Sequence, residues 1–207
     1  MGTRISLMIV AVSMVVGTVV GTGLGLLAGF KGGILDEIIM RGVDIWFGIP
    51  FILVALIIAV VVGPGLTTMM GLLAMASFGG FVRQVRAKVL SLKERDYVAL
   101  ARGAGASTFR ILMTHILPGV SSTVMEIATM TTGGLILAES FLSFVGAGVP
   151  PPTPTWGAMV ADGRGYMRDA WWITVVPGVA ILVTVMSLNF LGDWLRDKLD
   201  PRLRQLV

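Results

Sequence analysis

Apolar residues in this chain run in long unbroken blocks instead of alternating with polar ones. Ile5 to Gly29, Ile45 to Val82 and Ala170 to Gly192 contain no Asp, Glu, Lys, Arg or His, and blocks of that length read as bilayer spans. The middle block holds 38 residues; as one helix it would reach roughly 57 Å at 1.5 Å per residue, against a hydrocarbon core of about 30 Å. It therefore divides in two, and Gly63-Pro64-Gly65 marks the division as a tight-turn signal. Val120 to Gly146 predicts a fourth span and Trp172 to Gly192 a fifth. The predicted fold is all-α: a polytopic membrane helix bundle with about five transmembrane helices, at residues 5–29, 45–62, 66–82, 120–146 and 172–192, in a single domain over 1–207.

Composition agrees. Of 207 residues, 55% are hydrophobic and 14% charged, with mean hydropathy +0.88, more apolar surface than a water-soluble fold can hide. There is no cysteine, which removes disulfides, thiolate metal sites and thiol nucleophiles. One histidine, His115, leaves little for metal chemistry. The net charge of +4 does not point to nucleic acid, because basic residues in a membrane protein mainly set its orientation. The first block is too long for the apolar region of a cleaved signal peptide and reads as a retained helix.

Arg83, Arg86, Lys88, Lys93, Arg95, Arg102 and Arg110 crowd the segment 83–118, and Arg196, Lys198, Arg202 and Arg204 the tail 193–207. The positive-inside rule puts both on the cytoplasmic side, and the loop 147–171 outside. Counting back, the chain begins outside, as if an inward-starting first helix preceded it; an N-terminally shortened chain is the expectation. In the first span Gly17, Gly21, Gly25 and Gly29 recur every four residues on one helical face. That face suits close helix packing better than a pore lining.

The polar segment between the third and fourth spans is too long for a simple turn. Ser91 and Glu94 have the spacing of a capping box, Asp96 is placed to cap a helix from Tyr97, and Ser107 a second one. Gly103 and Gly105 separate the two, and Pro118 marks entry to the fourth span. Small residues at Ala99 and Ala101, flanked by Arg95, Arg102 and Arg110, suit a helix that sinks into a groove on another protein. The same arginines with Tyr97 equally suit a helix resting on lipid head groups.

The run Tyr97-Val98-Ala99-Leu100-Ala101-Arg102-Gly103-Ala104-Gly105-Ala106-Ser107 followed by His115-Ile116-Leu117-Pro118 resembles the EAA loop of ABC importer permeases, in the version of the dipeptide, oligopeptide and nickel permease family. Similar stretches extend along the chain: Gly32-Gly33 with Asp36 to Arg41, Pro50, Gly63-Pro64-Gly65, Val89 to Leu92, Ala138-Glu139 with Leu142-Ser143-Phe144, Pro151 to Pro154 with Trp156-Gly157, Leu191-Gly192-Asp193 and Asp200-Pro201-Arg202. The resemblance is strongest to the second, C-type, of two paired permeases. It implies that the loop forms a cytoplasmic coupling helix docking on an ATP-hydrolysing subunit through Tyr97, Ala99, Ala101, Arg102, Gly105, Ala106, Ser107, Leu117 and Pro118. Ala99 stands where the family often has Glu and Leu100 where it usually has Ala, which removes one charge-assisted contact and loosens the fit.

The resemblance further implies import of di- or oligopeptides by alternating access across the bacterial cytoplasmic (inner) membrane, with nickel or another small solute as the alternative cargo. Partners would be a second permease subunit, two ATP-binding subunits, an extracytoplasmic substrate-binding protein and membrane lipid. ATP and Mg would sit on the ATPase subunits and no cofactor on this chain, which has no Gly-Lys pair to build a phosphate-binding loop. Glu126 and Glu139 lie within the fourth span. Each reads either as a snorkelling or helix-pairing carboxylate or as a contact on the translocation path. An embedded enzyme lacks any visible nucleophile or metal cluster. An ATP-independent carrier would suit the intramembrane carboxylates but not the loop, and a non-transporting remnant remains the third alternative.

Overall fold

The computed structural model describes residues 2–199, and these form helices and turns without strands. In chain order the α-helices are α1 (Gly2–Lys31), α2 (Gly33–Gly48), α3 (Phe51–Val61), α4 (Leu66–Lys93), α5 (Asp96–Gly103), α6 (Thr108–Ile111), α7 (Leu117–Phe144), α8 (Trp156–Gly163) and α9 (Trp172–Leu199). A π-helical segment, Leu112–Ile116, carries α6 into α7. Four helical stretches are long and apolar enough to cross a membrane: α1, α4, the continuous run Thr108–Phe144, and α9; α2 and α3 add a fifth only as a pair bent by 85°.

The glycine stripe sets the central contact. A Cβ on Gly17, Gly21, Gly25 or Gly29 would lie 3.1, 2.5, 2.9 and 3.0 Å from the carbonyl oxygens of Ala74, Phe78, Val82 and Arg86. Glycines every fourth residue on α1 thus track carbonyls every fourth residue on α4, at a separation no larger side chain allows. The stripe is a packing face: among the described residues all four glycines lie against α4. Above it Ser13 bridges the pair, its hydroxyl lying 2.7 Å from the Ile9 carbonyl and 2.9 Å from that of Met70. The larger apolar core follows from this contact, with Ile9, Leu72, Leu73, Phe81, Ile136 and Leu142 essentially unexposed.

Several expectations change in three dimensions. The stretch 45–62 is not one helix: residues 45–48 end α2, and α3 runs for 11 residues after Pro50. Pro50 has no N–H and its ring excludes the carbonyl four residues back, so the helix stops and the chain bends. At roughly 17 Å, α3 alone is short of a bilayer crossing. The helix of the third span does not end near Val82 but continues to Lys93, because nothing between them breaks it. Ser91 therefore lies inside α4 and forms no capping box. Pro118 does not divide loop from span either; the helix passes through it, and the π-turn absorbs the missing bond, with the Leu117 N–H bonded to the Leu112 carbonyl. The turn at Gly63-Pro64-Gly65 stands as expected, with Gly63 at φ +94°. Of the tail 193–207, α9 includes Asp193 to Leu199; Asp200-Pro201-Arg202 and Arg204 lie outside the described residues.

The bundle has two unlike ends. One, the basic end, carries Arg83, Arg86, Lys93, α5 and α6. The other, the proline end, gathers the Gly63-Pro64-Gly65 turn, Pro150 to Pro154 and α8 around a cavity of about 380 Å³.

Candidate functional site

At the basic end α5 and α6 form a hairpin whose inner face is a small apolar cluster of its own. Val98, Ile111 and Ile116, all at most 2% exposed, pack on Val85 and Val89 of α4 and Val120 of α7. Burying each such side chain stabilises by about 1.5–3 kcal/mol, enough to hold two short helices that would not persist alone.

The turn between them explains the glycine. The Ala106 N–H bonds the Ala101 carbonyl and the Gly105 N–H the Arg102 carbonyl, each at 3.0 Å, and Gly105 sits at φ +78°. That pair of bonds is a Schellman closure, which needs a left-handed residue at this place. Ala101 and Ala106 then meet beneath it, both partly buried against the cluster. Ser107 starts α6 by accepting from the Arg110 N–H at 3.3 Å. Asp96 does not cap α5; it is the first helical residue, and Arg95 is the cap without a side-chain bond.

The nine residues expected to dock therefore divide. Ala101, Ala106 and Leu117 face partly inward, and Gly105 shapes the turn. Tyr97, Ala99, Arg102, Ser107 and Pro118 are on the surface. Tyr97 leans on His115, ring centroids 5.9 Å apart, and the Arg102 guanidinium lies 5.6 Å over the Phe30 ring. The most exposed apolar side chains of the hairpin are Leu100 at 73% and Phe109 at 69%. Neither was among the nine. In sequence Leu100 reads only as a departure from the family pattern, and Phe109 carries no signal. Counting from the buried Val98 and Ala101 on a helical period places Leu100 on the opposite face and would have found it.

Charge at this end is organised into pairs. Arg86 binds Asp36 through both carboxylate oxygens, with Nη2 to Oδ2 at 2.6 Å, and Arg83 meets Asp44 at 2.6 Å. These bonds tie α2 to α4. The hydrogen bond from Arg86 holds the Asp36 carboxyl below its ordinary value, against the opposing effect of partial burial.

The two carboxylates of the fourth span differ. Glu126 pairs with Arg196 of α9 at 3.0 Å, which makes it a helix-pairing group here. Glu139 is wholly enclosed and accepts a hydrogen bond from Ser143 at 2.9 Å, so it has no open face toward a solute in this conformation. Asn189 rests against Gly133 of α7. Among the described residues no group of three or more His, Cys, Asp or Glu could hold a metal ion.

Residues 21–205 match the family described as binding-protein-dependent transport system inner membrane component. The Di/tripeptide transport system permease protein DppC of Pseudomonas aeruginosa is 41% identical over 203 residues, covering 98% of this chain and 67% of that protein. The Glutathione transport system permease protein GsiD of Pectobacterium atrosepticum is 43% identical over 204 residues, covering 99% and 68%. The Dipeptide transport system permease protein DppC of Bacillus subtilis is 38% identical over 205 residues, covering 99% and 64%. The chain thus spans about two thirds of the length of these relatives. Among solved structures, an inward-facing form of the MetNI methionine ABC transporter superposes with TM-score 0.79 at 23% identity, covering 96% of this chain and 94% of that one. That likeness concerns the fold.

Proposed function

Because the chain belongs to the family of binding-protein-dependent transport system inner membrane components, we propose that it forms one half of the pore of an ATP-driven importer of short peptides. The peptide cargo follows the relatives, whose names specify di/tripeptide, dipeptide and glutathione transport. The basic end faces the cytoplasm by its arginines and lysines. A second permease completes the pore, a soluble binding protein meets the proline end, and two ATP-binding subunits hold the nucleotide and its Mg.

The observation that carries this reading is the hairpin. It is anchored on one face by Val98, Ile111 and Ile116 and presents Leu100 and Phe109 outward beside Arg102 and Arg110. An apolar pair rimmed by cations is suited to a groove with acidic edges on a protein. Because the turn is closed by backbone bonds and the cluster joins it to α4 and α7, a push on the hairpin moves both helices. Alternating access needs such a rigid lever.

Co-purification of the two ATP-binding subunits with this chain and the second permease tests it. Leu100→Asp and Phe109→Asp, both at exposed sites, should each reduce the retained ATPase on the order of tenfold. Full retention in both variants would sink the docking assignment.

A further inference from the structure

At the proline end a single carboxyl gathers hydroxyls from three separate parts of the chain. Glu139 of α7 is 0% exposed. Ser143 donates to its Oε1 at 2.9 Å and Ser140 to its Oε2 at 3.4 Å. Ser6 of α1 and Thr155, the residue preceding α8, are the other two hydroxyls turned to this carboxyl. Both are 0% exposed.

Two of these hydroxyls are already committed as acceptors. The Trp156 N–H donates to Ser6 Oγ at 3.1 Å, and the Ala158 N–H donates to Thr155 Oγ1 at 3.2 Å. These are N–H groups of the first turn of α8, which the helix itself cannot satisfy. Each hydroxyl has one proton to give, and the carboxyl is the acceptor toward which both converge. The result is a relay from the α8 backbone through a hydroxyl to Glu139. Backbone contact reinforces it: a Cβ on Gly157 would fall 2.2 Å from the Ser140 carbonyl oxygen, so α8 lies directly on α7 where the relay runs.

We propose that Glu139 is the positioning residue of this end: through Ser6 and Thr155 it fixes the start of α8 against α1 and α7, so that the three move as one body. Ser143 links the carboxyl to the wall of the 380 Å³ cavity that Pro150 to Pro154 and Ala158 also line. The shape of that cavity follows from the relay. A side chain of similar size that cannot accept leaves buried hydroxyls without a partner, and α8 loses its fixed seat. The assignment is independent of the docking reading, which concerns the opposite end.

The absence of cysteine lets a pair of spin labels report on α8 directly. Val145→Cys and Asp162→Cys, both exposed, are labelled in the assembled transporter in lipid nanodiscs, with Ala104→Cys and Ser121→Cys as a control pair at the basic end. The unaltered relay should give one narrow distance peak between positions 145 and 162. Glu139→Leu should abolish that peak, and Glu139→Gln, which keeps an acceptor oxygen, should restore it. Where the Leu variant fails to accumulate, Ser6→Ala combined with Thr155→Val reads the same peak and should broaden it. The proposal is overturned by a narrow peak in the Leu and hydroxyl variants, by equal broadening with Leu and Gln, or by broadening at the control pair as well.

Discussion

At its basic end α7 supports a hairpin that stands on an apolar cushion and turns Leu100 and Phe109 outward; at its proline end it supports α8, pressed onto backbone and pinned by buried hydroxyls around Glu139. Both attachments are short helices of the same length class, yet they are held by different physics. An apolar cushion is non-directional, so the hairpin owes its pose to the backbone bonds of the Schellman turn. A hydrogen-bonded relay is directional and fails when one partner is lost. The end that turns Leu100 and Phe109 to the surface is built from burial, while the end that shapes a cavity is built from oriented polar groups.

The largest break should come from the cushion. Ile111→Ala removes a side chain 2% exposed and should cost about 3 kcal/mol, read as a lowered unfolding temperature in detergent together with protease access to the hairpin. Protection of the hairpin equal to wild type would mean that the turn holds it without the cushion.

Gly157→Ala should follow at about 2 kcal/mol, since its Cβ would overlap a backbone carbonyl that cannot rotate away. Here the loosened region should be α8 alone, measured by hydrogen exchange of residues 156–163. Exchange that rises at α5 instead would erase the distinction between the two ends.

Gly105→Ala sharpens the comparison from the other side. Nothing lies within 4 Å of its Cβ position, so the effect isolates the left-handed backbone at φ +78°, about 1 kcal/mol. Retained ATPase should fall with it while the proline end is unaffected, and a stability equal to wild type would show that the turn adopts another closure.

The smallest effect concerns acid. Asp36 has a folded value below its ordinary 3.8, so the stabilisation it gives is present above that ordinary value and is lost as pH falls through the lowered one. For a partly exposed pair this amounts to about 0.5–1 kcal/mol. Unfolding temperature measured down this acid range should drop further for wild type than for Asp36→Asn; parallel curves would remove Asp36 from the tie between α2 and α4.

Much of this was legible in one dimension because the bilayer imposes a simple rule: spans are long, apolar and helical. The turn at Gly63-Pro64-Gly65, the packing role of the glycine stripe and the Ser107 cap all follow from local chemistry that a sequence displays. Pro50 was equally visible, but a 38-residue apolar block favoured dividing it only once. The hairpin was legible as a segment but its faces were not: the small residues Ala101 and Ala106 close the turn, and Leu100 and Phe109 face out. Glu139 was visible as a carboxylate in a span with Ser140 and Ser143 close by, but the approach of Ser6 was not, since Ser6 lies far from it along the chain.

The sequence by itself determined the class of fold, the membrane setting and the place of the hairpin, because hydropathy, helix breakers and turn chemistry act over a few residues. Only the tertiary structure decided which carboxylate is paired, which is enclosed, and which side of α5 is exposed. Those outcomes depend on what α1, α4, α8 and α9 bring alongside, and side-chain partners far apart along the chain leave no trace in local pattern.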